Sequence, residues 1–177
     1  MDFNLSEEQQ MLVEMARRFV DEEIMPHEEL VEQTDRVPPE LRQQILQKSV
    51  AAGLCAAGMP AELGGGGLDS MGLVLLYREL GRANMALQYA VPRPSNILQA
   101  CVGEQREKYL YPCIRGEKID CLAMTEPDAG SDVRSMNCRA VRDGDNWVIN
   151  GVKHFISHAE LSDFVILFAA KIGRAHV

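Results

Sequence analysis

The chain has 177 residues, 26 acidic against 18 basic side chains, a formal charge of −8 and an aromatic content of 6%. That acidic balance and scarcity of rings argue against a nucleic-acid surface or a face for anionic membranes, so neither partner is expected. The length holds one ordinary domain or two small ones, and no apolar run approaches the roughly eighteen residues of a membrane span.

The charge is uneven. Residues 1–60 carry 12 acids and 5 bases, whereas residues 61–177 carry 14 and 13, which places the acidic excess on a solvated face of the first helices. The cysteines Cys55, Cys101, Cys113, Cys121 and Cys138 are odd in number and form no CxxC pair. Reduced thiols in a cytosol-like compartment fit that pattern better than a zinc ribbon or a disulfide scaffold. The acidic start, with neither a basic signal region nor an arginine-rich transit character, makes a cytoplasmic protein the expectation.

In chain order, Ser6 and Gln9 form a capping box, and Glu7 and Glu8 suit the positive end of a helix dipole. Leu12, Met15, Ala16, Phe19, Val20 and Ile24 recur at helical spacing, and Pro26 is expected to end this first helix. Pro38-Pro39 opens a second helix with Leu41, Ile45, Leu46 and Ser49 on one side and Gly53 as its left-handed cap. Gly64 to Gly67 lack a following Lys-Ser/Thr and a preceding strand, so a close-packed turn is favoured over a phosphate loop. Asp69 caps a third helix carrying Leu73, Val74, Leu76, Tyr77 and Leu80, which Gly81 stops. Pro92 and Pro94 break the next stretch. Ser95 starts a short helix with Ile97, Leu98 and Cys101, and a last helix runs from about Glu104 to Arg115 before Gly116. Residues 1–118 thus read as an all-α bundle of five or six helices.

From Cys121 the pattern becomes strand-like. Residues 137–142 alternate with period two, Asp143-Gly144 makes a hairpin turn, and Trp147-Val148-Ile149 answers as the partner strand. Asn150-Gly151 makes a second turn, Val152 to Ile156 a third strand, and Asp163 to Ala170 a strand buried on both faces, with Trp147 in the core. The expected fold class is therefore α+β and multidomain: a helical bundle followed by an incomplete antiparallel barrel or sandwich, too short of strands to close.

The stretch Ala123-Met124-Thr125-Glu126-Pro127-Asp128-Ala129-Gly130-Ser131-Asp132 sits at this change of composition. It concentrates small residues, hydroxyls and exposed backbone amides, which are the features that hold a flat or phosphate-bearing cofactor. On the residues alone two readings stay open: half of a cofactor site, or a plain strand-to-turn segment with Pro127 and Gly130 present for backbone reasons. His154 and His158 have the spacing of a metal pair, but without an evident third ligand a solvated strand edge is favoured.

The same stretch resembles the flavin-loop signature of the acyl-CoA dehydrogenase family. The Gly-Leu…Pro…Glu-Leu-Gly-Gly turn at 53–65, the helix Gly103-Glu104-Gln105-Arg106-Glu107-Lys108-Tyr109-Leu110-Tyr111-Pro112, and Asn150-Gly151-Val152-Lys153-His154-Phe155-Ile156-Ser157 resemble further family segments, in the family's order. The resemblance covers residues 3–170. It implies a helical N-terminal domain, a middle β domain, a C-terminal helical bundle and assembly as homodimers or homotetramers. It also implies FAD as cofactor, and acyl-CoA as the substrate, oxidised to trans-2-enoyl-CoA by α-proton removal and β-hydride transfer. An electron-transferring flavoprotein is the implied acceptor.

By resemblance, Leu122, Ala123, Met124, Thr125, Gly130 and Ser131 meet the flavin, with Thr125 at the pyrimidine edge and Ser131 also near the acyl-CoA or the pyrophosphate. Phe155, Ile156 and Ser157 form the second cofactor segment, with Ser157 opposite flavin N5. Phe155 stands where the family usually has Trp; it keeps a π-face and loses the indole donor. Arg82 and Arg93 are candidates for CoA phosphates, with a plain surface role as the default. No catalytic residue is assigned within these 177 residues, because the resemblance puts the base, a Glu, in the C-terminal bundle.

The expected division is 1–118 for the helical domain, 119–171 for the start of the β domain, and 172–177 for a non-native tail. Ile-Gly-Arg-Ala-His-Val is what ATC GGA AGA GCA CAC GTC encodes, a common sequencing-adapter run. On this reading the chain is a fragment without dehydrogenase activity of its own. An acyl-CoA oxidase or flavin monooxygenase on the same scaffold, and a non-catalytic helical interaction module, are the alternatives.

Overall fold

The computed structural model describes residues 4–172, the last by its backbone alone. The chain divides into two compact units, Met1–Lys118 and Ile119–Val177. Of the expected tail 172–177, all but Ile172 lies outside the described residues.

The first unit is helical. Helix α1, Glu7–Phe19, begins at Ser6 with the complete capping box: the Ser6 hydroxyl accepts the Gln9 amide and the Gln9 side chain accepts the Ser6 amide. Pro26 does not end this helix. The chain widens into a π turn, Val20–Ile24, in which the Met25 amide donates to the Val20 carbonyl, then passes through a tight turn, Met25–His27, into α2, Glu28–Thr34. An i→i−5 turn leaves room for the pyrrolidine ring and needs no proton from its nitrogen, so the helical path survives the proline. The same device recurs before Pro112: a π turn at Arg106–Leu110, closed by the Tyr111 amide on the Arg106 carbonyl, leads into α6, the short helix Tyr111–Ile114.

Between them, α3 spans Pro39–Ala51 and is followed by Gly53 at φ +71. Helix α4, Ser70–Leu80, starts where the Asp69 carboxylate accepts the Gly72 amide at 2.7 Å. A short α5 covers Met85–Gln88, and Asn96–Ala100 forms 3₁₀ turns rather than an α-helix. Helix α1 packs along α4, and Ala16, Val20, Ile24, Ile45, Leu76 and Leu87 lie at the centre of the core. On α4 the buried residues are Gly72, Leu75, Leu76, Glu79 and Leu80, whereas Val74 (62% exposed) and Tyr77 face outward. The α4 sequence is apolar nearly all round, which hides the true inward face.

The glycine cluster is a packed turn. The amides of Gly64, Gly65, Gly66 and Gly67 donate to the carbonyls of Ala61, Pro60, Ala56 and Met59 at 2.9–3.1 Å, so none is left to cradle a phosphate. A Cβ at Gly65 would lie 2.3 Å from the Met59 carbonyl oxygen.

Among its described residues the second unit holds five short strands: β1 Asp120–Ala123, β2 Arg139–Asp143, β3 Asn146–Asn150, β4 Phe164–Leu167 and β5 Ala170–Ile172. The β2–β3 hairpin is antiparallel, with Asp143 opposite Asn146 and Gly144 at φ +58 in the turn. The remaining pairs are parallel: β1 with β4, and β2 with β5. The helical region followed by a small sheet region is therefore present, but as one two-stranded and one mixed three-stranded sheet, and the described residues form no closed barrel. The expected all-antiparallel pairing is thus corrected, and three further expectations fail here. Val152 to Ile156 is not a strand; the strand expected over 163–170 splits into β4 and β5, with Val165 and Leu167 exposed; and Trp147 is 45% exposed rather than core.

The five thiols are free, four of them buried and Cys101 half-buried. No described helix is long and apolar enough to cross a membrane.

Candidate functional site

Strand β1 delivers its C-terminal end into the loop that follows. Glu126 and Ala129 exchange backbone hydrogen bonds (2.9 and 3.3 Å) around Pro127-Asp128, a tight turn that fits a proline at its corner. Beyond it Asp132 caps the short turn Val133–Ser135, accepting the Arg134 amide at 3.2 Å and the Ser135 hydroxyl.

Thirty residues on, the chain returns to this loop. The His154 amide donates to the Thr125 carbonyl at 2.9 Å, and the Lys153 ammonium donates to the Met124 carbonyl at 2.8 Å. The two segments expected to share a cofactor, 122–131 and 155–157, are thus neighbours. Ala123 is buried, Met124, Thr125 and Ile156 are half-buried, and Leu122, Gly130, Ser131 and Ser157 are exposed. The Phe155 ring is 85% exposed, and its backbone is left-handed at φ +58, as is that of His158 at φ +63. For bulky residues that conformation costs energy and persists only where neighbours impose it.

The chemistry of this surface is that of donors and apolar faces. Among the described residues, the amides of Gly130, Ser131, Ile156 and Ser157 donate to no backbone carbonyl outside the regular strands and helices. The space where a Gly130 side chain would stand is empty out to 4 Å, so a flat ligand can approach the backbone there.

Two groups central to this arrangement carry no role in the sequence reading. Glu126 is 4% exposed, although it sits in a loop. Its carboxylate accepts the Lys153 ammonium (2.8 Å), the Cys138 amide (2.9 Å) and the Asn137 amide. The hydrogen bond from Lys153 is the largest influence holding this carboxyl below its ordinary value; burial opposes it, and the two amides reinforce it. The sequence signal was an acid among small residues and a lysine in a turn-flanked segment, neither of which names its partner.

The other charged candidates resolve differently. His154 and His158 belong to no group of three or more His, Cys, Asp or Glu side chains suited to a metal among the described residues. In the helical unit Arg82 pairs with Asp21 at 2.8 Å, and Arg93 lies over the rings of Tyr77 and Tyr89 at 5.3 and 5.6 Å. Buried Glu79 is ion-paired with Arg17 and Arg78 at 3.0 and 2.9 Å, and these contacts, that of Arg17 first, depress its pKa.

Two family profiles match this chain: Acyl-CoA dehydrogenase, N-terminal domain, over residues 6–117, and Acyl-CoA dehydrogenase, middle domain, over residues 121–176. The chain belongs to the acyl-CoA dehydrogenase family. It is 37% identical over 169 residues to the 3-(aryl)acrylate reductase of Clostridium sporogenes, covering 93% of this chain and 44% of that protein. It is 34% identical over 169 residues to the caffeyl-CoA reductase–Etf complex subunit CarC of Acetobacterium woodii, again 93% of this chain and 44% of that one. Among solved structures, the glutaryl-CoA dehydrogenase of Mycobacterium smegmatis in complex with FADH2 superposes with a TM-score of 0.82 at 25% identity, over 95% of this chain and 44% of that chain. The chain thus spans less than half the length of these relatives.

Proposed function

We propose that residues 122–131 and 155–157 form one wall of an FAD site in an enzyme acting on the Cα–Cβ bond of acyl-CoA thioesters. The observation that carries this reading is the pairing of the two segments through the Thr125 carbonyl and the His154 amide, which brings the loop of exposed Gly130 and Ser131 beside the segment carrying Ser157 and the exposed Phe155 ring. That donor set fits a flavin: N–H and O–H groups match the acceptor-rich pyrimidine edge, and apolar side chains match the ring faces. FAD supplies the two-electron acceptor for the hydride.

The chain's own part is binding and orientation. Thr125 and the amides of Gly130 and Ser131 offer donors to the acceptor edge and the pyrophosphate, with Ser131 also serving the acyl-CoA. Ser157 would offer a hydroxyl to the hydride-accepting nitrogen, and Phe155 and Ile156 would present apolar faces to the ring system. The expected reaction is oxidation to trans-2-enoyl-CoA, with a glutamate base from the family's C-terminal bundle and an electron-transferring flavoprotein as acceptor. The name of the Acetobacterium relative, a subunit of a caffeyl-CoA reductase–Etf complex, supports that partner. A second reading, reduction of the conjugated double bond by the same site, is favoured by the reductase names of two relatives. Residues 1–118 and 119–171 correspond on this proposal to the helical domain and the start of the β domain.

The test is direct. The complete gene product should purify yellow; anaerobic acyl-CoA should bleach the flavin, and enoyl-CoA should restore the colour. Which direction runs faster with a physiological donor or acceptor separates dehydrogenase from reductase. A colourless protein that ignores added FAD would sink both. The 177-residue chain by itself is expected to turn over no acyl-CoA with a dye acceptor.

A further inference from the structure

The Glu126–Lys153 pair is not among the expected cofactor contacts, yet its lysine bonds to the first of those segments at Met124 and lies two residues before the second. Its two side chains are almost wholly removed from solvent, 2% and 8% exposed. Through them, three distant points of the chain meet: the Met124 carbonyl takes one Lys153 hydrogen bond, and the carboxylate takes the other together with the amides of Asn137 and Cys138. One residue after Lys153, the His154 amide closes on Thr125; one residue later still, the chain turns left-handed at Phe155.

A buried ion pair contributes little net stability relative to a well-packed apolar pair, because desolvation cancels most of the attraction. What it does supply is a fixed geometry, since neither charge tolerates leaving the other. The strained conformation at Phe155 needs such an over-determined neighbourhood.

The geometry points to Glu126 and Lys153 as positioning residues that hold the two cofactor-facing segments in register before any ligand arrives. This rests on the flavin reading of the site for its functional meaning. Both side chains are buried and act through the backbone, Lys153 on the Met124 carbonyl and, through the adjoining His154 amide, on Thr125. Preorganisation of this kind raises affinity by keeping the binding-competent arrangement the dominant one.

The experiment compares wild type, Glu126→Gln, Lys153→Met and a control, Gly144→Ala, all in the complete gene product. Gly144 is at φ +58 in the hairpin turn, so the control strains the same unit without touching the pair. Two quantities are read: amide hydrogen exchange over residues 124–131 and 153–158, without flavin, and FAD affinity from quenching of flavin fluorescence. Expected in Glu126→Gln and Lys153→Met are faster exchange in both segments, retained protection in the β2–β3 hairpin, and affinity weakened roughly tenfold, as when the competent population falls to a tenth. Gly144→Ala should keep wild-type exchange in the two segments and wild-type affinity. Unchanged segment exchange in Glu126→Gln overturns the proposal, as does equal loss of affinity in Gly144→Ala, which would reduce the pair to a general stabiliser. A wild-type protein that binds no flavin overturns the cofactor reading instead, and the exchange data then decide the positioning role by themselves.

Discussion

Glu126 makes the β unit sensitive to acid in a defined direction. In the folded chain its carboxyl is held below the usual value of 4.5, first by the Lys153 hydrogen bond. The unfolded chain therefore binds the proton more readily. The stabilising contribution is complete above 4.5 and is lost as pH falls from there toward the depressed value. Trp147, the one tryptophan, lies in β3 and reports on this unit. Urea unfolding followed by its emission should show stability dropping over that acidic range in wild type, and dropping less in Glu126→Gln. Gly151 is fixed by crowding, since a Cβ there would lie 2.6 Å from both Cα and Cβ of Cys138. Gly151→Ala is expected to cost about 1–3 kcal/mol, the range for overpacking, in the same urea assay. At this scale the sequence marked Thr125, Ser131, Phe155 and Ser157 through a motif. It could not mark the carboxylate–ammonium pair, because a contact between positions 27 apart leaves no periodic trace.

Helix α4 shows what pattern reading resolves within one element. Its start at Asp69 and its end before Gly81 follow from capping chemistry and are as expected. Its inward face is not, because five consecutive residues, Leu73 to Tyr77, are apolar or aromatic and several faces satisfy a helical period equally. The structure chooses Leu76 and exposes Val74. Leu76→Ala should therefore cost about 2–5 kcal/mol, while Val74→Ala should stay within about 0.5 kcal/mol, both read from helical circular dichroism in urea. The two prolines that follow π turns carry a related lesson. Pro26 reads as a stop only if the preceding turn is α; one turn wound with an extra residue makes the same proline compatible with a continuing helix. In the sheets, the hairpin was legible from Asp143-Gly144 and its flanking alternation. The parallel pairs were not, since each joins strands separated by long connections.

At the scale of the whole molecule, the two units differ in how much apolar surface they bury. The helical unit encloses its core cluster, whereas the β unit leaves Trp147, Val148, Ile149 and Phe155 substantially open. Less burial means a smaller hydrophobic contribution, so the β unit should unfold first. In thermal melts of the 177-residue chain, Trp147 emission is expected to change at a lower temperature than helical ellipticity. Coincident transitions would contradict that ordering. The distribution of thiols turns the same contrast into a kinetic record. Cys55 and Cys113 are buried in the helical unit, Cys121 and Cys138 in the β unit, and Cys101 is only partly covered. The Cys55 thiol also hydrogen-bonds to the Ile114 carbonyl, and burial pushes its pKa up to about 11, so it stays protonated and unreactive while its surroundings are closed. Burial also raises the Cys101 pKa, against the nearby Arg106 charge, but an alkylating reagent added to the native protein should reach Cys101 first and each buried pair only as often as its own unit opens. Peptide mapping over time would turn four ordinary core residues into two independent clocks of local opening.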